Sequence, residues 1–264
     1  MKKYFVIGNP IEHSLSPVLH NYWIKENNIE ANYDKKKLEE FELGDLIFKL
    51  KKKQIDGLNV TVPFKNKVIS FLDKLTFEAE QTQSVNTIYL DGNEIIGHNT
   101  DIEGFELSIK NIKYNLNDKK IFILGAGGVV PSIIFALKKM RVSNIIVANR
   151  TKEKAEKLKN LFENLNVIDW GEVPDIDMII NATTLGLNNS DEINLDFSKV
   201  KKNKLFYDVI YNPRITKFLE IGKKLNCKIE NGKMMFVYQA LGSFRLWHGV
   251  IPKINDKVIN LLDK

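Results

Sequence analysis

The stretch KIFILGAGGVVPSIIFALKKMRVSNIIVANRT, from Lys120 to Thr151, constrains this chain more than any other. An apolar run, Ile121 to Leu124, enters Gly125, Gly127 and Gly128, and an apolar helical pattern follows to Met140. A second apolar run, Ile145 to Ala148, ends at Asn149, Arg150 and Thr151. Continuous apolar runs suit strands buried on both faces, as in a parallel sheet covered by helices. Strand, glycine turn, helix and strand make a βαβ unit of the dinucleotide-binding kind. Gly125 permits a tight turn, while Gly127 and Gly128, with Ala126 between them, leave room for a pyrophosphate at the helix N-terminus. Pro131 falls in the first helical turn, where its missing N–H costs little.

A third glycine of the G-x-G-x-x-G pattern would fall at Val130, so the glycines alone fit an ordinary tight βα turn equally well. The end of the second strand decides between them. An NAD site places an acid there, about 20 residues on, for the ribose 2′-hydroxyl. Here that place holds Asn149, Arg150 and Thr151, with no acid before Glu153. Arginine offers a planar donor fork suited to phosphate, and elsewhere it occurs only at Arg141, Arg214 and Arg245. Thr151 also stands where it can N-cap the next helix. The expected cofactor is NADP(H).

Length and charge bound the rest. At 264 residues with 44% apolar content, one large or two modest domains fit. The net charge of +6 raises the question of nucleic acid, but lysines are scattered and no basic run interleaves with aromatics. Surface lysine explains the charge, which favours anionic small molecules. Cys227 is the lone cysteine, which suits a reducing compartment. Tyr4 to Ile7 is too short for a signal-peptide core and nothing approaches a transmembrane length. The expectation is a cytoplasmic protein, monomeric or homodimeric, with a small-molecule substrate, no metal site, and neither nucleic acid nor membrane as partner.

From the start, Tyr4 to Ile7 reads as a buried strand and Val18 to Asn27 as an amphipathic helix, with Ser16 as its N-cap and Pro17 in its first turn. Capping leaves Ser14 unexplained; two hydroxyls at a helix N-terminus suit a carboxylate. Gly57 to Val62 reads as a strand placing Asn59 and Thr61 on one face. Lys65 is then expected to open a helix running to about Leu72, against the helix dipole. Ser84 to Leu90 and Glu94 to Thr100 flank a hairpin signal at Asp91-Gly92-Asn93. Asp101 would cap a helix over 102–112. Beyond Thr151 come a helix to Phe162, strands at 166–169, 178–182 and 205–210, a polar loop at 187–203, a helix at 217–225, a strand at 228–230, and helices at 234–247 and 255–262.

GNPIEHSLSPVLHN (8–21), GLNVTVPFK (57–65), SVNT (84–87), HNTD (98–101), GAGG (125–128), NRT (149–151), NATTLG (181–186), DVIYNP (208–213) and NGKMMFVYQA (231–240) together resemble shikimate dehydrogenases, in order and spacing. The resemblance implies an N-terminal α/β substrate-binding domain (1–101), a doubly wound Rossmann-type NADP-binding domain (102–237), and C-terminal helices (238–264) returning to the first. It implies NADPH-dependent reversible reduction of 3-dehydroshikimate to shikimate, in aromatic amino-acid biosynthesis. It assigns Ser14 and Ser16 to the substrate carboxylate, Asn59, Thr61, Asn86 and Gln239 to ring hydroxyls, and Tyr211 to the site lining. Lys65 and Asp101 would be the catalytic pair. Gly125 to Gly128 would take the pyrophosphate, Asn149, Arg150 and Thr151 the 2′-phosphate, and Thr183, Gly232 and Met235 the nicotinamide side. Val130 with Pro131, and Lys233, depart from the family pattern. A quinate/shikimate dehydrogenase and a silent NADP-binding protein share many of these blocks; an NAD-preferring enzyme would place an acid near Arg150, and the intact Lys65–Asp101 pair argues for catalysis.

Overall fold

The computed structural model describes residues 1–188 and 190–263. It divides into two compact units: 1–104 with 237–264, and 105–236. Both divisions fall inside helices, at Gly104 and at Phe236, instead of in linkers.

In the first unit the elements are β1 (Lys2–Gly8), α1 (Ser16–Glu26), β2 (Ala31–Lys37), α2 (Leu43–Lys51), β3 (Gly57–Val60), β4 (Lys74–Leu75), α3 (Phe77–Thr82), β5 (Thr87–Asp91), β6 (Glu94–His98) and the start of α4 (Asp101–Asn111). The sheet order is β2-β1-β3-β5-β6-β4. β1 pairs with β2 and β3 in parallel, whereas β5 runs antiparallel to β3 and β6. Leu58 and Val60 of β3 enter a core with Ile7, Leu46, Leu50 and Ile88. Asn59 points to the opposite face, as strand alternation requires.

The second unit contains β7 (Lys120–Leu124), α5 (Val130–Lys139), β8 (Asn144–Ala148), α6 (Lys152–Glu156), β9 (Asn166–Ile168), β10 (Met178–Asn181), β11 (Leu205–Asp208), α7 (Lys217–Lys224) and β12 (Lys228–Glu230). All pairs are parallel, in the order β12-β11-β10-β7-β8-β9. Ile121, Phe122, Ile123 and Leu124 are all fully buried, the two-faced burial that their unbroken apolar run predicts. The strand order is that of a doubly wound dinucleotide fold, with its switch point between β7 and β10. The polar stretch 187–203 carries no helix or strand over its described residues, Asn189 lying outside them.

The last helices are α8 (Lys233–His248) and α9 (Asp256–Leu261). Trp247 of α8 packs on β3 of the first unit, where a Cβ at Gly57 would come within 2.4 Å of the indole nitrogen. That nitrogen donates to the Ile88 carbonyl at 3.2 Å. The architecture is therefore an α/β domain plus a Rossmann-type domain, with C-terminal helices returning to the first. No helix among the described residues is long and apolar enough to cross a membrane.

Several expected boundaries shift for physical reasons. Lys65 does not open a helix: Thr61 to Phe64 form a turn closed by the Phe64 N–H on the Thr61 carbonyl at 2.9 Å, and a 3₁₀ turn starts only at Lys67. The supposed conflict of Lys65 with a helix dipole disappears. Ser16 is the first residue of α1, not its cap; Leu15 holds the cap position, and the Ser14 hydroxyl accepts the Ser16 N–H at 3.3 Å. Ser14 thus has the local backbone role expected of Ser16. Asp101 likewise lies within the first turn of α4. The helix expected to reach Phe162 ends at Glu156 and tightens to 3₁₀ over Lys157–Asn160.

Behind β1 and β2, His20 is buried among Tyr33, Trp23, Phe244 and Trp247, and neither ring nitrogen has a hydrogen-bond partner among the described residues. Burial pushes its pKa down to about 3 from 6.5, with His248 adding a smaller repulsion. Between those values the unfolded chain binds a proton that the folded one refuses, so stability contributed by neutral His20 is lost as pH falls below 6.5. His20→Phe should lose about 2 kcal/mol less than wild type between pH 6.5 and pH 5, at about 1.4 kcal/mol per pH unit. Urea unfolding of both proteins at the two pH values measures the difference; equal losses would show that His20 titrates normally.

Candidate active site

In the first unit a buried polar network links the turn after β3, the segment before β5 and the start of α4. The Lys65 carbonyl accepts the Val85 N–H at 2.7 Å, pinning the turn to the next segment. Lys65 Nζ lies 2.5 Å from Asp101 Oδ2, with side-chain exposures of 11% and 8%. Asp101 Oδ1 accepts from Asn86 Nδ2 at 2.9 Å. Its two oxygens thus face side chains, which makes helix capping an insufficient account of this residue.

Asn86 is itself held on several sides. Its Nδ2 also faces Thr100 Oγ1 at 2.9 Å and Gln239 Oε1 at 3.5 Å, and its Oδ1 accepts from the Thr100 N–H at 2.8 Å and Thr87 Oγ1 at 3.0 Å. Asn59 donates to the Asn86 carbonyl at 3.0 Å and accepts from the Tyr33 hydroxyl at 2.7 Å. Gly242 lets α8 close on this region: a Cβ there would lie 3.0 Å from Thr100 Cγ2. Lys65, Asn59, Asn86, Asp101 and Gln239 are therefore gathered in one unit. Thr61 follows β3, half-buried, with its N–H on the Ile7 carbonyl at 2.9 Å. Ser14 is half-buried and Ser16 buried.

An ammonium hydrogen-bonded to a carboxylate keeps two further hydrogens for another oxygen. Such a group can stabilise an alkoxide and donate to it. The ion pair is weak evidence for stability, since desolvation offsets much of its attraction. A catalytic role explains its burial better.

In the second unit, Gly125 has φ +109°, and a Cβ there would meet the Ala182 carbonyl oxygen at 2.8 Å. A Cβ at Gly127, by contrast, would meet nothing beyond its chain neighbours, among the described residues, nearer than that same oxygen at 4.0 Å. Packing explains the first glycine and leaves the second free to admit a ligand. Val130, in place of a third glycine, is fully buried in the first turn of α5. Arg150 and Thr151 are exposed at the end of β8, and the Asn149 side chain donates to the Thr151 carbonyl at 2.7 Å. Thr151 holds the N-cap position of α6 without a side-chain cap bond. Lys152 is drawn away to Asp169 at 2.8 Å, while the Arg150 side chain makes no ion pair or hydrogen bond among the described residues.

At the carboxyl end of β10, Thr183 donates to Asn181 Oδ1 at 2.7 Å, and Asn181 donates to both oxygens of Asp208 at 3.1 Å. Asp208 also accepts from Thr216 at 2.6 Å and the Ile210 N–H at 3.0 Å. Burial nevertheless pushes its pKa up to about 6. Gly232 packs on Val209, whose carbonyl oxygen would lie 2.0 Å from a Cβ, so packing alone demands glycine. Met235 and Lys233 are both buried, and Tyr211 stacks on Phe236 with ring centroids 4.6 Å apart. Tyr211 thus belongs to the second unit, unlike the other candidate substrate residues.

Residues 6–88 match the model of the shikimate dehydrogenase substrate binding domain, and residues 106–216 that of shikimate / quinate 5-dehydrogenase. The shikimate dehydrogenase (NADP(+)) of Pelagibacter ubique is 56% identical over all of both chains. The chain belongs to the shikimate dehydrogenase family. Among solved family members, a shikimate dehydrogenase in complex with NADP+ is 34% identical with TM-score 0.91, covering 99% of this chain and 94% of that one. Shikimate 5-dehydrogenase from Thermus thermophilus, in complex with NADP(H) and shikimate, is 28% identical with TM-score 0.89, covering 100% and 98%.

Tyr33, Thr87 and Thr100 belong to the network in this family member and were not legible as site residues. Thr87 and Thr100 flank the singled-out Asn86 and Asp101, which is the only local signal. Tyr33 meets Asn59 across 26 residues of sequence, and nothing local announces it.

Proposed function

We propose that this chain catalyses the reversible NADPH-dependent reduction of 3-dehydroshikimate to shikimate, with Lys65 and Asp101 as the catalytic pair. The observation that carries this reading is the buried 2.5 Å Lys65–Asp101 contact, anchored by Asn86 inside the unit that matches the substrate-binding model. When bound, NADPH supplies the hydride. Lys65 donates a hydrogen bond, and then a proton, to the oxygen that gains negative charge as the ketone is reduced. Asp101 orients the ammonium, and Asn86 fixes the carboxylate. Ser14 and Ser16 face the substrate carboxylate; Asn59, Thr61, Asn86 and Gln239 take the ring hydroxyls, and Tyr211 lines the site.

The residues present fit the cofactor. Gly127 leaves open space beside the strand end, as a pyrophosphate needs, and Gly125, Ala126 and Gly128 complete the turn. Arg150, with no ion pair or hydrogen bond among the described residues, is available for the 2′-phosphate with Asn149 and Thr151. Thr183, Gly232 and Met235 take the nicotinamide side.

Formation of reduced nicotinamide, measured with shikimate or quinate and with NADP+ or NAD+, tests the reading. Shikimate with NADP+ should be turned over most efficiently. Preference for quinate would move the assignment to the quinate branch of the family, and cofactor binding without turnover would remove the catalytic claim.

A further inference from the structure

Tyr33 lies in β2 and is buried, as are Ser16 and Asn59. Its hydroxyl donates to Asn59 Oδ1 at 2.7 Å. The direction of every bond in this chain follows from its far end. Asn59 Nδ2 faces the Asn86 main-chain carbonyl at 3.0 Å. A carbonyl only accepts, so the amide nitrogen must lie on that side and Oδ1 must face Tyr33. That oxygen also only accepts, so the single phenolic hydrogen goes to it. The second Asn59 amide hydrogen goes to Thr87 Oγ1 at 3.2 Å.

The phenol ring has little freedom to choose otherwise. His20 stacks on it, with centroids 4.2 Å apart and planes 4° from parallel.

We propose that Tyr33 is a positioning residue of the substrate site, its hydroxyl holding the Asn59 amide and fixing what that amide can offer a ligand. With both amide hydrogens used, Asn59 presents only an oxygen lone pair, so a ring hydroxyl meeting it must be the donor. A ring hydroxyl that donates to the same oxygen is thereby registered at the phenol, which shares that acceptor. The inference rests on the proposed role of Asn59 as a substrate contact.

Tyr33→Phe removes one oxygen and keeps the stacked ring. The KM for shikimate should rise roughly 5- to 30-fold, the scale of one lost buried hydrogen bond. The kcat should stay within about twofold and the dissociation constant for NADP+ should not move. An unchanged KM in the folded variant overturns the proposal, as does a KM rise accompanied by an equal loss of NADP+ affinity. Wild-type protein gives a second reading that needs no variant to fold. The buried Tyr33 hydroxyl proton, followed by NMR in tyrosine-labelled protein, should shift on adding shikimate and stay put on adding NADP+; no shift with saturating shikimate also overturns it. Controls separate the levels of failure. No wild-type turnover of shikimate sinks the proposed function, and with it this inference. Wild-type kinetics in Asn59→Ala would sink the contact assignment. A silent Tyr33→Phe beside an impaired Asn59→Ala sinks the positioning role alone.

Discussion

Lys65→Met is expected to lower kcat by roughly 10²- to 10⁴-fold, the usual range for a general acid–base group. Methionine keeps the length of the side chain and removes the donor that would meet the substrate oxygen. Affinity for NADPH should barely change, because the candidate phosphate contacts belong to the other unit. Asp101→Asn should also lose activity: an amide in place of a carboxylate cannot hold the ammonium as firmly, and it faces the Asn86 amide nitrogen now 2.9 Å away. The double variant should be little worse than either single one, since groups acting as a unit are strongly non-additive. Steady-state turnover of all three at saturating NADPH, with circular dichroism to confirm folding, is the measurement. Near-wild-type turnover by folded Lys65→Met would refute the mechanism.

The second large effect is expected at Arg150. Arg150→Ala should weaken NADPH by about 1.5–3 kcal/mol, or roughly 10- to 150-fold, as for one lost charge-assisted contact. NADH, which lacks the 2′-phosphate, should be affected far less. The adjacent Lys152 is held by Asp169 and is badly placed to take over. Fluorescence titration of both cofactors against wild type and variant gives the comparison. Equal losses for the two would mean that Arg150 does not meet the 2′-phosphate.

How much of this was readable in advance differs between the units. The parallel sheet around β7 and β8 was legible because burial on both faces leaves an unbroken apolar run, and a glycine turn marks its end. The first unit was read less well. β4 has two residues and α3 has six, too short for either periodicity to emerge, and both went unseen. The apolar residues after Lys65 have helical spacing and so predict a helix there; the Thr61–Phe64 turn that delays it is a main-chain feature. Ser14 and Ser16 exchanged backbone roles for the same reason, since either serine can accept the bond and only the backbone path selects one. The candidate catalytic pair is legible as a pair through family resemblance alone, since its members are 36 residues apart.

The first unit is closed by α8, which follows the second unit in sequence, through Trp247 on Gly57 and the Ile88 carbonyl. A ribosome therefore delivers β1 to β6 early and withholds the helix that covers β3 until the second unit has emerged. The second unit, continuous from 105 to 236, emerges complete, and domains generally fold as units during synthesis. Nascent chains halted before residue 237 would thus carry a finished Rossmann unit behind an open mixed sheet. In this enzyme the part made first is the part finished last, and the candidate catalytic pair lies within it.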